Sequence, residues 1–205
     1  VINKPDVGLP PIVYRNITDD KVERLFEGYI ISDDPCFELA LGTLEMHEDG
    51  YPYIPELERF EIERRLVLKH CGYINPEDID HYIALGGYSS LLKAFEMGRD
   101  WVIDEVEKAK LRGRGGAGFP TAIKWRICRE KKASEKYVIC NADEGDPGAF
   151  MDRVVLESDP HSVIEGLIIA GFCIGANKGF FYTRIEYPLV LEKLEIAIEQ
   201  ARRYG

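Results

Sequence analysis

The sequence predicts an α/β chain: a parallel sheet with flanking helices, preceded by a small strand–helix piece and a linker. Three observations point there. Beyond residue 136 the chain alternates strand, helix, strand, helix, the pattern of parallel crossover units. Tyr137-Val-Ile-Cys140 is a short apolar run of the kind that fills a buried parallel strand. The helices that follow open at Asp159-Pro160 and at Pro188, where a missing N–H is harmless.

Each element has its own signal. Ile12 to Arg15 reads as a strand. Thr18 is placed to cap a short helix, with Asp19 and Asp20 in the first turn and Val22, Leu25 and Phe26 as its buried stripe. Residues 1–32 form this first piece. Residues 33–59 are rich in Asp, Pro, Gly and Glu, hold Tyr51-Pro-Tyr-Ile-Pro55, and read as a linker. The main domain, 60–205, starts near Phe60. Asn75-Pro76 opens a helix with Ile79, Tyr82 and Ile83 inward, and Gly86-Gly87 ends it. A helix after Asp100, with Ile103 and Val106 inward, runs into a glycine-rich stretch at 111–121. After the strand at 137–140, one helix runs from Asp159-Pro160 through Ile174. Gly179 to Thr183 is the next strand, and the helix from Pro188 turns Leu191, Leu194, Ala197, Ile198 and Ala201 inward.

Composition narrows the function. The 205 residues give room for one substantial core. The formal net charge of −10 argues against nucleic-acid binding, which needs a basic face. It leaves room for small anions held by backbone N–H groups. No apolar run is long enough to span a bilayer; the longest, Val163 to Ala176, is interrupted by Glu165. No signal peptide opens the chain, and a first residue Val reads as a piece of a longer protein. The cysteines, at 36, 71, 128, 140 and 173, are scattered and contain no CxxC pair, so no sequence-local metal ligand set exists. Their pattern fits reduced thiols in a cytoplasmic protein. His47, His70, His81 and His161 are dispersed and suggest no triad; His161 reads as a surface or capping residue.

Three segments carry chemistry. In LRGRGGAGFPTAIKW (111–125), four glycines lie within six residues, and Arg112, Arg114 and Lys124 add positive charge. Glycines admit φ > 0 and let a ligand approach closely, and successive N–H groups can hold an anion. The Gly-Lys-Ser/Thr ending of a P-loop is absent, and the loop follows a helix, so phosphate cradle and structural turn both stay open. Asn141-Ala-Asp-Glu-Gly-Asp-Pro-Gly148 follows a strand, where open parallel sheets bind ligands. Its residues are also turn formers. Tyr182-Thr-Arg-Ile-Glu-Tyr-Pro188 leaves the next strand, with Tyr182 and Glu186 facing the same crevice; a plain strand exit is the rival reading.

Together with LESDPHSVIEG (156–166), these segments strongly resemble the 51-kDa-type NADH dehydrogenase flavoprotein subunits. That module occurs in respiratory complex I, in NAD(P)-linked hydrogenases and in NAD-dependent formate dehydrogenases. The likeness covers about residues 60–205 and implies a Rossmann-like sheet binding FMN and NAD. It places Gly113, Arg114, Gly115 and Gly116 around the flavin, Phe119 against the adenine, and Lys124 on FMN or the nucleotide ribose. Asn141 and Asp143 would hydrogen-bond the flavin. Glu144, the residue assigned to catalysis, would lie at the nicotinamide end, Tyr182 by the flavin and Glu186 by the nucleotide ribose. Residues 10–32 resemble the end of a thioredoxin-like iron–sulfur domain. The family's [4Fe–4S] cluster belongs to a C-terminal part beyond Gly205, and Ile127 stands where some relatives carry a second aromatic residue. The implied partners are iron–sulfur subunits, including a thioredoxin-like [2Fe–2S] subunit, in the cytoplasm or at the cytoplasmic face of a membrane complex. Two rival classes remain: a cofactor-free scaffold of a redox complex, and a group-transfer enzyme, for which no nucleophile–base pair is visible.

Overall fold

The computed structural model describes residues 1–46, 52–57 and 63–205, and separates into two units, Val1–Arg65 and Leu66–Gly205. His47, Tyr51 and the expected domain start at Phe60 lie outside the described residues.

In the first unit, β1 (Ile12–Tyr14) pairs antiparallel with β2 (Ala40–Thr43), Ile12 opposite Thr43. Thr18 stands at the N-cap of α1 (Asp19–Leu25), which runs on into a π-helical turn, Phe26–Ile31. Leu25, Gly28 and Tyr29 are buried, whereas Val22 and Phe26 are exposed. The expected stripe is therefore right at Leu25 and rotated away from Val22 and Phe26. The wider turn carries the inner face on to Gly28 and Tyr29, against Ile12 and Cys36. The span read as a linker holds β2 and two 3₁₀ turns, Phe37–Leu39 and Ile54–Glu56; the Thr43 N–H donates to the Pro52 carbonyl at 2.9 Å.

In the second unit, α2 (Ile79–Ala84), α3 (Ser89–Met97), α4 (Arg99–Lys108) and α5 (Thr121–Glu130) precede β3 (Tyr137–Ala142). Then come α6 (Met151–Ser158), α7 (Pro160–Ile174), β4 (Lys178–Thr183) and α8 (Pro188–Tyr204). β3 and β4 pair in parallel, Tyr137 opposite Lys178 through Ala142 opposite Thr183. One sheet face is packed: Ala142, Cys140 and Phe181 meet Leu156, Val163, Val190 and Leu194 from three helices. A second cluster joins Ala94, Val102, Ile103, Ala122 and Cys173, and burial pushes the Cys173 thiol up to about 11. At Gly179 a Cβ would come 3.3 Å from a Leu167 methyl, so a small residue there lets α7 lie close on the sheet.

Period-3.6 spacing selects Val190, Leu194 and Ala197 as the buried row of α8; Leu191, expected inside, sits off that row and is half-exposed. Ile83 is likewise exposed on the short α2. That helix is capped by Asp78, whose carboxylate accepts the Asp80 N–H at 3.0 Å, while Asn75 caps only the Glu77 N–H.

A buried polar network ties α7 to the elements before it. Glu165 accepts from the Tyr82 hydroxyl at 2.5 Å, the Tyr88 N–H at 3.0 Å and the Leu91 N–H at 2.9 Å, and so caps α3. His70 Nδ1 bonds Asp159 at 2.7 Å, and Asp159 also accepts the Ser162 N–H that starts α7. His161, expected on the surface or at a cap, is 1% exposed: Nδ1 meets the Tyr88 hydroxyl at 2.8 Å, and Nε2 meets the Gln200 amide oxygen at 3.0 Å.

Candidate functional site

The glycine loop joins α4 to α5 and is pinned at its neck. Gly113 N–H donates to the Phe119 carbonyl, Thr121 N–H donates to the Leu111 carbonyl, both at 2.9 Å, and Arg112 Nη1 donates to the Gly118 carbonyl at 3.3 Å. Gly116 and Gly118 take φ of +99° and +61°, which only glycine adopts freely. The remaining glycines have another explanation. A Cβ at Gly115 would meet no atom within 4 Å, and one at Gly113 would be no nearer than 3.7 Å to any. The chain's own packing leaves that rim bare. Arg114, Gly115 and Gly116 are exposed there, and Phe119 is 45% exposed at the neck.

Lys124, on the first turn of α5, lines a cleft of about 550 Å³ with Thr121, Trp125 and Cys128. Residues 137–140 of β3 form another wall, and α7 closes it with Val163, Leu167 and Ala170. The lining is mostly apolar, with Lys124 and Thr121 at the glycine-loop side and Cys140 at the strand end. Burial raises the Cys140 thiol pKa, and the charge of Asp152 adds to that.

The acidic turn begins where β3 ends. Asn141 Oδ1 accepts the Asp143 N–H at 3.1 Å. Glu144 reaches forward to the start of α6: Oε1 accepts from the Met151 and Asp152 N–H groups at 2.7 and 3.2 Å, and Oε2 from Arg153 N–H at 3.3 Å. Its carboxylate thus caps a helix and fixes the turn. Burial, and then the Glu144 charge, raises the Asp152 pKa.

β4 supplies the adjacent wall. Tyr182 lies directly opposite Asn141 in the parallel register and is 60% exposed. Arg184, which sequence reasoning passed over, joins the two strand exits. Nη1 donates to the Glu144 carbonyl at 2.8 Å, and Nη2 donates to Glu186 Oε1 at 3.0 Å. The Glu186 pKa is lowered, first by its own backbone N–H and then by Arg184. No local signal marked it: Arg184 opens a turn closed by the Tyr187 N–H on its carbonyl at 3.2 Å, and its other partner is a carbonyl forty positions back.

The structure therefore gathers Asn141, Asp143, Glu144, Tyr182 and Glu186 at the carboxyl ends of β3 and β4, the place open parallel sheets offer ligands. It places Gly113 to Phe119 on a separate loop. Among the described residues no hydrogen bond joins that loop to the acidic turn; the cleft lies between Lys124 and the strand end. Nor do the described residues contain a cluster of three His, Cys, Asp or Glu able to hold a metal, or a helix long and apolar enough to cross a membrane. A bare rim on a glycine loop and hydrogen-bonding side chains at two strand ends fit a flat, phosphorylated cofactor.

Residues 106–205 match the model of the Nuo51 FMN-binding domain. The chain is 56% identical over 141 residues to the NADP-reducing hydrogenase subunit HndC of Solidesulfovibrio fructosivorans, covering 69% of this chain and 29% of the relative. It is 45% identical over 156 residues to the F subunit of the NADH-quinone oxidoreductase of Aquifex aeolicus, covering 76% of this chain and 36% of that one. Among solved structures, an NAD+-reducing [NiFe]-hydrogenase in the H2-reduced state superposes with a TM-score of 0.54 at 32% identity, over 91% of this chain and 29% of that one. The chain thus spans about a third of the length of the curated relatives it matches. On these matches and the motifs behind them, the chain belongs to the 51-kDa-type flavoprotein family of complex I and the NAD(P)-linked hydrogenases.

Proposed function

We propose that this chain holds FMN and a nicotinamide nucleotide and forms the hydride-accepting end of an iron–sulfur redox complex. The observation that carries the reading is the rim at Gly113 and Gly115, where the absence of side chains serves nothing inside the chain. FMN, when bound, supplies the exchange between a hydride from NADH and single electrons for iron–sulfur centres.

The chain's own residues bind and orient. Loop amides around Gly113, Arg114, Gly115 and Gly116, with Lys124 beside them, hold phosphate and flavin edge. Asn141 and Asp143 hydrogen-bond the ring, Tyr182 lies beside it, and Phe119 packs on the adenine. Glu144 acts at the nicotinamide end by fixing the turn, because both its oxygens are committed to α6. Positioning of this kind supplies much of the rate in hydride transfer. Glu186 takes the ribose hydroxyls and repels a 2′-phosphate, which sets a preference for NADH over NADPH. The partners are iron–sulfur subunits, a thioredoxin-like [2Fe–2S] subunit among them, and the setting is cytoplasmic, at the face of a membrane complex where there is one.

The test uses the intact flavoprotein after reconstitution with FMN. Bound flavin is expected in the visible spectrum, and Glu186→Gln is expected to raise the NADPH/NADH ratio of kcat/KM. A protein that takes up no flavin supports the scaffold reading instead.

A further inference from the structure

Arg184 occupies a position that the proposed function leaves unexplained. Its guanidinium is anchored on one side by a backbone acceptor, the Glu144 carbonyl at 2.8 Å, which no side-chain substitution removes. On the other side it holds a side chain, Glu186, at 3.0 Å. It also lies 5.7 Å from the centre of the Tyr187 ring and feels the charge of Asp143. The neighbouring cation on that ring, Arg153, is committed to Glu157 at 2.8 Å. Side chains of Arg184 and Glu186 are 31% and 59% exposed, so their ion pair is screened by solvent and is exchangeable. An arginine fork suits a phosphate as well as a carboxylate.

We propose that Arg184 is a specificity-determining residue. Paired with Glu186, it is a counter-ion in a site for a nucleotide with a free 2′-hydroxyl. Unpaired, it is the receptor of a 2′-phosphate. The carbonyl anchor keeps the guanidinium in place when Glu186 loses its charge, so the freed Nη2 donors stay turned to the ribose side. This rests on the placement of Glu186 at the ribose in the proposed function.

A double-mutant cycle on the intact, FMN-loaded protein tests it. Dissociation constants of NAD+ and NADP+ are measured by equilibrium titration for the wild type, Glu186→Gln, Arg184→Gln and the double variant. Glu186→Gln is expected to shift relative affinity toward NADP+ by about tenfold when Arg184 is present. In the Arg184→Gln background the same change is expected to shift it by less than about twofold. Equal shifts in both backgrounds, or a shift toward NADP+ on Arg184→Gln alone, overturn the role of Arg184. Should Arg184→Gln fail to retain flavin, Arg184→Lys replaces it, and an undiminished shift there overturns the fork. If Glu186→Gln shifts nothing in the presence of Arg184, the placement of Glu186 falls and this proposal with it. A wild type that binds flavin but neither nucleotide overturns the proposed function itself, a result distinct from all of these.

Discussion

At the scale of single residues, the glycine loop separates two uses of one amino acid. Gly116 is glycine because its φ is +99°, whereas Gly115 faces open space at its absent Cβ. Alanine should tell them apart. Gly116→Ala is expected to destabilise the fold by about 1 kcal/mol, from backbone conformation alone. Gly115→Ala is expected to leave thermal unfolding within about 0.5 kcal/mol of the wild type, yet to lower retained FMN. Calorimetry alongside flavin content checks both, and unchanged FMN in Gly115→Ala would count against the cradle. The candidate residues of this site were legible as motifs (clustered glycines, an Asn–Asp–Glu turn, a Glu after a strand), with their individual roles implied by the family resemblance. Arg184 was not, because its meaning lies in an acceptor forty positions away, the Glu144 carbonyl.

At the scale of elements, the helices are fastened by buried polar groups more than the sequence suggested. Burial lowers the His161 pKa from the ordinary 6.5, only partly offset by the Gln200 hydrogen bond and the charges of Asp159 and Asp78. The unfolded chain, with His161 near its ordinary value, therefore binds the proton more readily than the folded one. The sign follows: the neutral His161 contributes full stability above about pH 6.5, and that contribution falls as pH drops toward the depressed folded value. Chemical unfolding across pH 5 to 8 is expected to show this slope, and His161→Gln is expected to flatten it. A steeper slope in the variant would remove the assignment. Periodicity found α7 and α8 almost to the residue, since both are long and regular. It missed α3, α5 and α6; the starts of α3 and α6 are fixed by Glu165 and Glu144, carboxylates from 74 positions further along and from seven positions back. No local window around α3 reaches Glu165, and Glu144 reads in sequence as turn chemistry.

At the scale of the whole molecule, the second unit carries a sheet with unequal faces. Parallel strands are ordinarily covered on both sides, and the alternation in β3 and β4 does cover one. The other presents Tyr137, Ile139, Phe180 and Tyr182, with Ile139 62% and Phe180 52% exposed. A contiguous apolar face of this kind promotes association. The 205-residue chain is expected to self-associate in a concentration-dependent manner, and the pair Ile139→Thr and Phe180→Thr to shift it toward monomer in sedimentation velocity, with secondary structure unchanged. Equal association in both would place the sticky surface elsewhere. The α/β class and the parallel pairing were readable from alternation alone. The uneven covering was not, because an apolar strand reads the same whether one neighbour or two will pack on it.

Tyr88 sets a limit on engineering the fold. It is a bulky residue at φ +61°, a backbone shape that normally invites replacement by glycine as a route to a sturdier protein. Here that route is closed. The hydroxyl that glycine would delete is the partner of His161 inside the fold, and its loss leaves an imidazole nitrogen stranded away from water. Thermostabilising schemes that score backbone angles alone would choose this site and lose the contact that keeps His161 satisfied.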